Sequence, residues 1–73
     1  MSDTAIARAH AVLEELLTPE GVEFCELRDA VLRDQPALGR GWASRVTRLW
    51  VTQQMNADRA DFSTPLNKWV KTC

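Results

Sequence analysis

The stretch Trp42-Ala43-Ser44-Arg45-Val46-Thr47-Arg48-Leu49-Trp50-Val51-Thr52-Gln53-Gln54-Met55-Asn56 decides how the rest of the chain is read. It contains neither Gly nor Pro, and its apolar residues recur at helical spacing. Trp42, Val46, Leu49 and Gln53 share one face, with Trp50 beside it, while Ser44, Arg45, Arg48 and Thr52 spread over the opposite side. Val46, Thr47, Val51 and Thr52 are β-branched, which lowers helix propensity slightly without breaking the pattern. The spacing predicts a helix over 42–56.

Upstream, residues 34–41 (Asp-Gln-Pro-Ala-Leu-Gly-Arg-Gly) read as a connector of eight positions, in which Leu38 tacks the chain to the core. Pro36 closes a preceding helix over about 23–33, whose apolar positions are Phe24, Leu27, Ala30 and Val31. Before it, Thr18-Pro19-Glu20-Gly21 admits two readings. Thr18 caps a new helix with Pro19 at its first position, or the four residues turn and Gly21–Phe24 runs extended. The second is preferred, because Gly21 weakens a helix and Val22 and Phe24 alternate with polar neighbours. Residues 4–17 form the first helix, with Ile6, Ala9, Leu13, Leu16 and Leu17 on one stripe, Val12 widening it and Asp3 or Thr4 as cap. Downstream, residues 56–64 read as a polar loop carrying Phe62. Thr64-Pro65 then carries the cap-plus-proline signature of a last short helix with Leu66, Trp69 and Val70. The expected fold is an all-α or mostly α single domain over residues 1–73. It has three to four helices, a helix-turn-helix-like core, and room for a short strand near 21–24.

At 73 residues the chain has space for one small core and no second domain. Apolar residues make up 45%, too many for a disordered chain, yet no apolar run reaches membrane-spanning length. The acidic start Met-Ser-Asp-Thr lacks the basic region of a signal peptide, so a cytoplasmic protein with reduced thiols is expected. Cys25 reads as a small core residue and Cys73 as an incidental terminal thiol. His10, the sole histidine, sits on the apolar side of the first helix and reads as packing. Neither it nor the cysteines fall at metal-ligand spacing. Gly39-Arg40-Gly41 is only a fragment of a phosphate loop, and Glu14 and Glu15 are adjacent on a helix and point apart. No cofactor, metal or catalytic group is expected, and an enzyme is the least favoured class.

The formal charge of −1 hides a split. Residues 1–39 hold eight acids and three bases, a balance of −5, whereas residues 40–73 hold six bases and two acids, a balance of +4. Either the two halves neutralise one another by internal pairing, or the second half offers a basic face to a partner. All three tryptophans, Trp42, Trp50 and Trp69, lie in the basic half. Trp and Arg are the types most enriched at the energetic centres of protein interfaces. Arg45, Arg48, Trp50, Arg59, Phe62, Lys68, Trp69 and Lys71 are therefore the candidate partner-binding residues, with Arg40 adding to the steering field.

Two functions fit. The leading one is a non-enzymatic regulator that binds a protein partner. The alternative is a helix-turn-helix or winged-helix DNA-binding regulator, in which Ser44, Arg45, Thr47, Arg48 and Gln53 line a recognition helix. Against the alternative stand the long connector at 34–41, the lack of a wing hairpin in the reading after residue 56, and the near-neutral charge. The whole chain, through its length, the helical Ala5–Leu17 segment and the segment Gly41-Trp42-Ala43-Ser44-Arg45-Val46-Thr47-Arg48-Leu49-Trp50, resembles the small transcription regulators of Xanthomonas phages that bind host RNA polymerase. The resemblance implies contact with the β and β′ subunits, hindered sigma-factor engagement and antitermination in the host cytoplasm. It implies no particular binding residue.

Overall fold

The computed structural model describes residues 3–72, with side chains from Thr4 onward. Three helices come first: α1 (Asp3–Leu16), α2 (Phe24–Asp34) and α3 (Arg40–Asn56). An antiparallel hairpin follows, β1 (Ala60–Ser63) and β2 (Lys68–Lys71), and the whole measures 34 × 20 × 17 Å. Among the described residues no helix is long and apolar enough to cross a membrane. The capping position of α1 and Cys73 lie outside the described residues; Thr4 is inside the first turn rather than before it.

α1 ends where the sequence says it must. The Leu17 N–H still donates to the Leu13 carbonyl (3.0 Å), and Pro19 then prevents continuation. Residues 18–21 form a turn closed by the Gly21 N–H on the Thr18 carbonyl at 3.1 Å. Gly21 takes φ +101°, and a Cβ there would lie 3.2 Å from Lys68 Cβ and Val70 Cγ1. Only glycine lets this turn lie against β2. The extended piece after it is short: Val22 alone bridges Trp69, each N–H donating to the other's carbonyl at 2.8 Å.

α2 and α3 are separated by residues 35–39, which include a 3₁₀ turn at Pro36–Leu38. The connector is thus five residues rather than eight, because the 3₁₀ turn and an early start of α3 at Arg40 take up the slack. The end of α2 is tied to the start of α1 by Gln35 Nε2 donating to the Ala5 carbonyl (2.8 Å) and by the Arg8–Asp34 ion pair (3.1 Å). α3 closes in a Schellman motif. Asp58 sits at φ +59°, its N–H donates to the Met55 carbonyl, and the Arg59 N–H reaches back to Gln54 at 2.9 Å.

The last element differs from expectation. Thr64-Pro65 opens no helix; the segment is the turn of the hairpin. Asn67 at φ +56° donates its N–H to the Thr64 carbonyl (3.3 Å), and Phe62 pairs with Trp69 across the strands. Proline near φ −65° suits the first turn of a helix and the second position of a β-turn equally, so the signature is ambiguous. The strand places Trp69 against the core and edge-to-face with Phe62, with ring centroids 5.3 Å apart.

The core is built from Ala9, Leu13 and Leu17 of the first helical segment, Leu27 and Val31 of α2, and Ala43, Val46, Trp50 and Val51 of α3, closed by Val22 and Ala60. Thr47 is also fully buried. The inward stripe of α3 is therefore rotated from the expected one: Leu49 and Gln53 face solvent, while Thr47, Trp50 and Val51 face inward. Burying a Trp and a Val removes more apolar surface from water than burying one Leu, which fixes the phase. Cys25 is likewise exposed rather than packed, because it stands on the opposite side of α2 from Leu27 and Val31.

Candidate nucleic-acid interface

The rotation of α3 determines what it presents. With Ala43, Val46, Thr47, Trp50 and Val51 turned in, the outward row is Gly41, Arg45, Arg48, Leu49, Thr52 and Asn56. Two of the expected residues, Arg45 and Arg48, stand together here. Arg48 is held rather than free, its guanidinium lying 5.7 Å from the centroid of the Phe24 ring at the start of α2. Thr52 Oγ1 donates to the Arg48 carbonyl at 2.8 Å, so it packs along the helix in this state. Gln53 is exposed at the edge of the same row.

The other expected residues fall elsewhere. Phe62 and Trp69 pair on the inner face of the hairpin, Trp69 half-buried and Phe62 39% exposed. Lys68 pairs with Ser63 beside the turn, under Gly21. Arg59 and Lys71 meet at the base of the hairpin and line a groove against Glu14 and Glu15 of α1. Trp50, expected as a partner contact, lies in the core instead. It is 2% exposed, a core residue whose edge floors that groove, and not a surface anchor. Thr47 is removed from the recognition row for the same reason, and Ser44 is half-buried. Leu66 at the hairpin turn, 55% exposed, and Asn56 were not singled out. A phase based on the adjacent pairs Val46-Thr47 and Trp50-Val51 would have turned Asn56 outward.

Among the described residues the two ion pairs are Arg8–Asp34 and Arg28–Asp29, both within the first half. Among the described side chains, no acid of residues 4–39 forms an ion pair with Arg40, Arg45, Arg48, Arg59, Lys68 or Lys71. Among the described residues no three His, Cys, Asp or Glu side chains gather where a metal could bind.

The element order is helix, single-bridge strand, helix, short connector, helix and hairpin, with the early bridge pairing to the second hairpin strand. No family model, curated protein or solved structure matches the chain.

Proposed function

We propose that this domain is a non-enzymatic transcription regulator that binds duplex DNA. α3 enters the major groove and the turn of the hairpin lies against the adjacent backbone. The observation that carries the reading is the outward row of α3, in which Arg45 and Arg48 stand with Thr52, Gln53 and Asn56 and neither Arg is ion-paired with a described residue. Arg supplies bidentate contacts to guanine or phosphate, and Asn and Gln match adenine edges. Two objections raised by the sequence are weakened: the connector is five residues, and a hairpin follows α3. Glu23 and Glu26 at the start of α2 repel phosphate, so backbone contacts fall to α3, Arg40 and the hairpin turn with Lys68.

The test is fluorescence anisotropy on labelled duplexes across salt concentrations. With about four phosphate contacts, log Kd is expected to change with log salt at a slope of magnitude about 3.6. Arg45→Ala or Arg48→Ala is expected to weaken binding. A residue that touches phosphate reduces the slope by about 1, and one that reads a base relaxes specificity at one position at a cost of about 1–3 kcal/mol. Unchanged affinity in both variants rejects this face.

A second reading has its own observation. Leu49 is 59% exposed in the middle of the α3 row, and Leu66 is exposed at the hairpin turn. Apolar side chains beside arginines suit a protein interface as well as a groove. In this reading the domain binds bacterial RNA polymerase, as the phage-regulator resemblance implies, and acts by occlusion: a small body blocks sigma-factor engagement by occupying its surface. Recovery of polymerase β and β′ subunits from nuclease-treated bacterial lysate, lost on Leu49→Asp, supports this reading over DNA binding.

A further inference from the structure

A groove of about 500 Å³ opens between the C-terminal half of α1, the C-terminal half of α3 and the base of the hairpin. Its size falls in the range of small-molecule sites, about 300–1,000 Å³. It lies away from the outward row of α3, because Trp50 belongs to the inward face of that helix. Leu17 and Trp50, both buried, supply an apolar floor. The lining also carries Glu14 and Glu15 from α1, which both reach the groove although adjacent helix positions were expected to point apart, and Arg59 and Lys71 from the hairpin base. None of these four charged groups is in an ion pair with another, so opposite charges line one cleft without closing it.

We propose that this groove binds a small amphoteric molecule of the amino-acid or dipeptide class. Arg59 and Lys71 hold its carboxylate, Glu14 and Glu15 hold its ammonium, and its apolar portion rests on Trp50 and Leu17. The charge arrangement selects the class. A simple acid meets the repulsion of the two glutamates, and a simple amine meets that of Arg59 and Lys71; a molecule carrying both signs satisfies both sets. Charge-assisted hydrogen bonds at each end, formed over an apolar floor, are the strong kind.

The experiment is an NMR titration of the ¹⁵N-labelled full chain, free of DNA, with L-alanyl-L-leucine and with each of the common amino acids singly. The expected result is saturable shifts at the amides of Glu14, Glu15, Leu17, Arg59 and Lys71 and at the Trp50 indole N–H. Capping the dipeptide by N-acetylation or C-amidation is expected to weaken binding about tenfold in each case. Glu14→Gln with Glu15→Gln, and separately Arg59→Gln, are expected to do the same while the rest of the spectrum stays in place. No saturable shift in this groove at millimolar concentration for any zwitterion overturns the proposal, as does equal affinity for the capped forms. Because DNA is absent from the titration, neither result depends on the DNA reading.

Discussion

Thr47 sits in the middle of α3 with no exposed surface, and its Oγ1 has no hydrogen-bond partner. Five residues on, Thr52 stands exposed on the outward row, and its Oγ1 donates to the Arg48 carbonyl. A buried hydroxyl without a partner costs about 1–3 kcal/mol, and Val is nearly isosteric with Thr and similar in helix propensity. Thr47→Val is therefore expected to raise stability by about 1 kcal/mol, seen as a higher urea midpoint with an unchanged slope. A lower midpoint would mean that the hydroxyl is satisfied in solution. Thr47 also shows why single positions were hard to read. Its polarity suggests a solvent-facing recognition residue, but its place on the helix is set by Trp50 and Val51, whose burial is worth more than one hydroxyl. Cys25 is the converse: the apolar residues Val22, Phe24 and Leu27 stand close to it in sequence, yet it shares a face with neither buried residue of α2.

At the scale of elements, the hairpin is the piece most exposed to disruption. Two four-residue strands are marginal alone. They hold because Ala60 and Trp69 pack on the core and because Val22 bridges Trp69. The turn depends on Asn67 in the left-handed region, which Asn tolerates and a β-branched residue does not. Asn67→Val is expected to cost about 1–2 kcal/mol and to perturb the Trp69 resonances while leaving those of Leu27 and Val31 in place. Retention of native Trp69 shifts together with native stability would show that the turn geometry is not needed. α1, α2 and α3 were legible because each is long enough for its period to be counted and is bounded by Pro or Gly. The hairpin was not, because four-residue strands carry too few alternations to outweigh the Thr-Pro signal. The candidate site was legible as a set of charges and aromatics. Its division into an α3 row, a packed Phe62–Trp69 pair and a groove-lining Arg59–Lys71 pair depended on that unread hairpin.

Over the whole molecule, the balance of −5 against +4 means that, in the proposed DNA complex, the α3 arginines would work against an acidic remainder of the same small body. Glu23 and Glu26 at the start of α2 flank Phe24, whose ring carries the Arg48 guanidinium of the α3 row. Two opposing effects follow from removing them. Carboxylates at a helix N-terminus stabilise it by about 0.3–1 kcal/mol each, so Glu23→Gln and Glu26→Gln are expected to lower stability slightly. A carboxylate about 10 Å from a DNA phosphate repels it by about 0.4 kcal/mol in water-like dielectric, so each substitution is expected to tighten DNA binding about twofold, and the double variant about fourfold. The gain belongs to low salt. It shrinks as the screening length falls from about 10 Å at 0.1 M to about 3 Å at 1 M. Anisotropy on the same duplex at both ionic strengths, beside a urea melt of each variant, separates the effects: affinity rises while stability falls, which no general loosening of the fold produces. Unchanged affinity at low salt would place the duplex away from the α2 edge of α3, and would leave Arg40 and the hairpin turn to carry the phosphate contacts.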